Sequence, residues 1–155
     1  MPLSYGMYYD LLGGNLPVCF IQLRILLEGL TKSYYADSKY PPHLFFEQKL
    51  EMLEEESKQI AQIMKEVERN LLLLKSGKVY NLWKYLSKEW VHEKGIIKRI
   101  VDRIVQGKGI PSYGLVLPMS YQEEDMTEIE ELGSKVSEFR KILREITRSW
   151  KYYLR

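Results

Sequence analysis

Apolar residues recur in steps of three and four along most of the chain, the spacing of one face of an α-helix. The longest such run is Phe46, Leu50, Leu53, Ser57, Ile60, Met64, Val67, Leu71 and Leu74, a heptad seam with one polar interruption at Ser57. It predicts a helix over 44–74, acidic at its start (Glu47, Glu51, Glu54, Glu55, Glu56) and basic at its end (Lys65, Arg69, Lys75). The C-terminal stretch repeats the pattern through Ile129, Leu132, Val136, Phe139, Leu143, Ile146, Trp150 and Tyr153, predicting a helix over 123–154. Its start is again acidic and its end basic, a polarity that complements the helix dipole. Matching seams and opposed charge ends predict that the two helices lie side by side and antiparallel. Two copies of the chain pairing in the same way give an identical pattern, so a homodimer stays open.

Shorter periodic segments fill the rest. The apolar opening PLSYGMYYDLL is broken at Gly13–Gly14, and Asn15 is placed to cap a helix over 16–38 that stops before Pro41–Pro42. Lys78 to Val91 reads as a helix with Val79, Leu82, Trp83, Leu86 and Trp90 on one side. Gly95 divides it from IIKRIVDRIV, where Ile96, Ile97, Ile100, Val101, Ile104 and Val105 form a compact apolar face and Lys98, Arg99 and Arg103 point outward. Residues 106–122 carry glycines, prolines and an apolar LVLP, so they are expected to pack back on the helices or to cover a pocket. The fold class is therefore all-α, a single domain over 1–155 built as a bundle of four to five main helices, with the two long heptad-patterned helices packed together.

Composition narrows the class without naming a function. Hydrophobic residues make up 45% and charged residues 28%, a soluble-protein balance. The net charge of +2 is too small to argue nucleic-acid binding by itself. The one cysteine, Cys19, sits in an apolar run and reads as a small buried hydrophobe. No apolar stretch reaches the length of a membrane span, and the N-terminus lacks a basic region followed by an apolar one. The expected setting is the cytoplasm, with no membrane contact.

Candidate chemistry is sparse. Arg24, Glu28, Thr31 and Tyr35 fall on one polar stripe of an otherwise apolar helix, and His92 is a candidate partner for it from a later helix. The stripe reads first as a structural network and second as the wall of a small-molecule pocket. Lys98, Arg99, Arg103, Arg144 and Arg148 are the candidate nucleic-acid contacts, on basic helices 94–108 and 140–155. Two histidines and one cysteine, without an HExxH or a Glu-x-x-His repeat, predict no metal site, no cofactor and no catalytic set.

LRILLEGLTKSYYAD combined with YNLWKYLSKEWVH resembles uncharacterised helical proteins of the HEPN-like or abortive-infection type, over about residues 16–105. The resemblance implies a helical bundle, often dimeric, with ribonuclease activity in members that carry an Arg, four to six residues, then a His. Neither His43 nor His92 follows an arginine at that spacing. The expected role is a non-enzymatic interaction or assembly module with an unknown protein partner. An RNA-binding or RNA-processing protein is the second reading, and a bundle with a ligand pocket near Arg24 and Glu28 the third.

Overall fold

The computed structural model describes residues 3–71, 77–108, 121 and 123–153. All regular structure among them is helical. It comprises α1 (Leu3–Leu12), α2 (Leu16–Lys39), α3 (Phe46–Glu55), α4 (Ile60–Asn70), α5 (Lys78–Leu86), a π-helical turn (Ser87–Val91), α6 (Glu93–Val105), a 3₁₀ turn (Glu123–Asp125) and α7 (Met126–Trp150). No described helix is long and apolar enough to cross a membrane.

The helix over 44–74 is not continuous: α3 ends at Glu55 and α4 begins at Ile60. The break falls on the polar interruption of the seam. Ser57 adopts φ 50° and its N–H bonds the Glu54 carbonyl at 2.9 Å, the left-handed C′ position that ends a helix. Glycine holds the equivalent position after α1 (Gly14, φ 76°) and after α6 (Gly107, φ 72°). Both complete a Schellman motif, with Asn15 N–H on Asp10 O at 2.8 Å and Lys108 N–H on Arg103 O at 3.0 Å. The division placed at Gly95 falls instead at His92, whose extended backbone (φ −81°, ψ 130°) separates the π-turn from α6. Gly95 lies inside α6, where an added Cβ would sit 2.3 Å from the Lys88 carbonyl oxygen. Of the segment 106–122, residues 109–120 and 122 lie outside the described residues.

The chain divides into two compact units, Met1–Leu26 with Lys84–Ser137 and Leu27–Trp83 with Glu138–Arg155. The first has its core in Leu16, Cys19, Phe20, Leu23, Leu86, Trp90 and Leu132, all buried. Phe20 and Trp90 stack at 3.9 Å with an interplanar angle of 9°. Cys19 is enclosed there, and burial, aided by the charge of Asp10, pushes its thiol up to about 12. It is a packing residue.

The second unit is built on Leu27, Tyr34, Ala36, Leu53, Ile63, Met64, Val67, Val79, Leu82, Ile142 and Ile146. Polar side chains fasten its edges. Asp37 takes Lys49 at 2.7 Å and Trp150 Nε1 at 2.8 Å, while Tyr34 OH and Ser149 Oγ lie 2.8 Å apart. Glu68 accepts the N–H groups of Val79 and Tyr80 at 2.5 and 3.0 Å, placing a carboxylate on the otherwise unpaired donors at the start of α5.

Candidate interaction face

In the first unit α6 is turned the opposite way from the sequence expectation. Arg103, expected to face outward, is 7% exposed and donates to Asp125 Oδ1 at 3.1 Å and Glu128 Oε2 at 3.3 Å. Arg99, one turn earlier, grips Glu131 with both Nη atoms at 3.0 and 3.1 Å and donates to Tyr85 OH at 2.9 Å. Its guanidinium lies 4.4 Å from the centre of the Trp90 ring, and Trp90 Nε1 donates to Glu131 at 3.0 Å. Burial pushes the Glu131 carboxyl up, to about 7, with the charge of Lys135 opposing the shift. The forked guanidinium pulls in the same direction as Lys135.

The physical cause of the inversion is spacing. Arg99 and Arg103 stand four apart on α6, while Asp125, Glu128 and Glu131 stand three apart at the start of α7. Two ladders of opposite sign, each on one helical stripe, meet and neutralise each other. The acidic start of the C-terminal helix was expected to meet the basic end of the other long helix; the arginines of α6 take its acidic side chains instead. Sequence reasoning singled out both arginines but missed Trp90, Glu131, Asp125 and Glu128 as their partners. The three-residue acidic spacing was the available signal.

With its arginines turned inward, α6 presents its apolar stripe to solvent. Ile97 is 57% exposed, Val101 49%, Ile104 49% and Val105 80%, whereas Ile96 and Ile100 are half-buried. Steps of four, three and one place the exposed four side by side along the helix. Lys98 and Asp102, both exposed, lie along one flank of this stripe. The outer side of α1 repeats the arrangement, with Tyr5, Tyr8, Tyr9 and Leu12 between 58% and 66% exposed.

The polar stripe on α2 is distributed among separate contacts. Arg24 and Glu28 are half-buried, and in the second unit Glu28 accepts Trp83 Nε1 at 2.6 Å. Thr31 is fully buried and donates to the Leu27 carbonyl, with Met64 Sδ 3.9 Å away. Tyr35 joins a charged cluster with Glu66 at 2.5 Å and Lys58 at 2.8 Å, and Lys58 reaches the same carboxylate at 2.6 Å. Hydrogen bonds from Lys58 and Tyr35 hold the Glu66 carboxyl below its usual range; the bond to Glu66 raises Lys58. Beside it Tyr40 donates to Glu56 at 2.7 Å, and Lys39 pairs with the same carboxylate. The backbone break at Ser57 therefore carries Glu56 and Lys58, on either side of it, onto the tyrosines of α2. His92 is exposed.

Of the remaining cations, Lys98 and Arg144 are exposed and Arg148 pairs with Glu145 at 3.0 Å. A cavity of about 550 Å³ in the second unit is lined by Asn70, Leu71, Glu145, Arg148, Ser149, Lys151 and Tyr152. Its described lining does not include Glu28, beside which a pocket had been expected. Among the described residues, no group of three histidine, cysteine or carboxylate side chains is gathered in a way that could hold a metal ion. No family model, curated protein or solved structure matches the chain.

Proposed function

We propose that the chain is a non-enzymatic helical interaction module that engages a protein partner through the outward face of α6. The observation that carries this reading is the inversion of that helix. Its two arginines are spent on internal carboxylates, and four branched apolar side chains remain in water. A helix of a folded domain ordinarily points such a stripe at its core. A contiguous apolar patch rimmed by polar residues marks a contact surface.

The test is the stability of Ile104→Glu, measured by thermal unfolding of dilute protein at about 1 µM. A face that is free in the isolated chain tolerates the charge, and the expected change in Tm is less than about 2 °C, in line with ordinary surface substitutions. A loss of several degrees overturns the reading, because the face then belongs to the chain's own core.

RNA recognition is the weaker alternative. Arg99 and Arg103, two of its five candidate contacts, are engaged by carboxylates, and a phosphate has to displace those carboxylates to reach them.

A further inference from the structure

We infer that the partner on the α6 face is a second copy of this chain, paired antiparallel across a two-fold axis close to Ile100 and Val101. The inference rests on the interaction reading above and adds the identity and orientation of the partner.

Charge complementarity carries it. Lys98 and Asp102 are both exposed, stand one helical turn apart, and lie on the same flank of the Ile97–Val101–Ile104–Val105 stripe. Neither makes an ion pair within the chain among the described residues. In an isologous contact each surface meets itself. Antiparallel pairing about the middle of α6 brings Lys98 of each copy alongside Asp102 of the other, forming two equivalent pairs of opposite sign. A parallel two-fold pairing puts that flank of the two copies on opposite sides of the contact, so neither pair forms. The face is thus electrostatically self-complementary only in the antiparallel orientation.

The inner side of the helix supports the same conclusion. Arg99 and Arg103 tie α6 to Glu131, Asp125 and Glu128 by hydrogen bonds, two from Arg99 and two from Arg103, and the Trp90 ring contact stiffens the first of them. The outer stripe is therefore held in place before any partner arrives, which lowers the ordering loss on association. Its size sets the strength. The four apolar side chains expose roughly 400 Å² per copy, about half of the ~800 Å² each partner contributes to a standard interface. The flanking polar residues enlarge the contact only modestly, so the expected dimer is weak, with Kd on the order of 10 µM.

Sedimentation equilibrium of the whole chain from about 1 to 200 µM tests this. The wild type is expected to self-associate in that range, and Ile104→Glu to abolish association while leaving the dilute melting curve unchanged. Lys98→Asp and Asp102→Lys, made singly, each place like charges together twice and are expected to weaken the dimer about tenfold. The double variant Lys98→Asp with Asp102→Lys exchanges the charges, and is expected to return Kd to within about threefold of the wild type. A wild type that stays monomeric throughout overturns self-recognition. So does a double variant no better than the two single ones, which points to a parallel contact or to a different surface. Either result leaves the interaction reading standing if Ile104→Glu melts like the wild type. Loss of stability in dilute Ile104→Glu overturns both.

Discussion

Arg103 separates the two meanings that a basic residue on a helix can have. On a helical wheel it is a surface cation; in the fold its side chain is enclosed with Asp125, itself 1% exposed, and Glu128. Removing the guanidinium takes a shared cation from two buried carboxylates. Breaking one side of a buried pair ordinarily costs about 3–5 kcal/mol, because the partner charge stays desolvated. Arg103→Ala is expected to lose about that much in urea unfolding. Lys98→Ala, five residues earlier and exposed, should stay within about 0.5 kcal/mol. If α6 carried its arginines on the surface, both substitutions would be equally silent, so the contrast between them decides which side of the helix faces inward.

The helices themselves were easy to locate from the sequence, because their ends are chemical events. Gly13–Gly14 and Pro41–Pro42 bracket the predicted 16–38, and α2 runs from Leu16 to Lys39. What periodicity could not supply was the facing of a helix or its continuity. The apolar and charged sides of α6 were both visible on the wheel. Only the acidic ladder at the start of α7 determines which side turns inward. Likewise, Ser57 appeared as one polar residue in an unbroken seam, since a heptad count does not register a residue that leaves the helical region. The polar stripe of α2 was real as a pattern, but its members bond in different places because each depends on what a distant segment brings to it. Ser57 makes the element-scale point testable. A non-glycine residue in the left-handed region is strained by roughly 1 kcal/mol relative to glycine. Ser57→Gly is therefore expected to raise stability by about 0.5–1 kcal/mol in urea unfolding, although glycine is the poorest choice inside a helix after proline. A loss of similar size instead shows a continuous helix through residue 57.

Across the whole chain, 23 basic residues against 21 acidic ones give a net charge of only +2. What matters for a polyanion is how many cations remain available once internal pairs are counted. Of the five candidate phosphate contacts, Arg99 and Arg103 are held by Glu131, Asp125 and Glu128, and Arg148 already has Glu145 at 3.0 Å. Lys98 and Arg144 remain exposed, and they belong to different units. Each phosphate neutralised on a single strand contributes about 0.7 to the slope of log K against log salt, so two or three cations give a slope no steeper than about −2. Filter binding to single-stranded RNA over about 20–200 mM salt is therefore expected to show weak retention that disappears by about 150 mM. Arg144→Ala should matter more than Arg99→Ala, which acts only through folding. A slope near −4 would require cations beyond those two or three, and exposed Lys108, Arg140, Lys141 and Lys151 on the same basic segments can supply them while the arginines of α6 keep their carboxylates. Only a drop in slope with Arg99→Ala at unchanged stability would place the arginines of α6 on the nucleic acid, and that result alone would count against the interaction face.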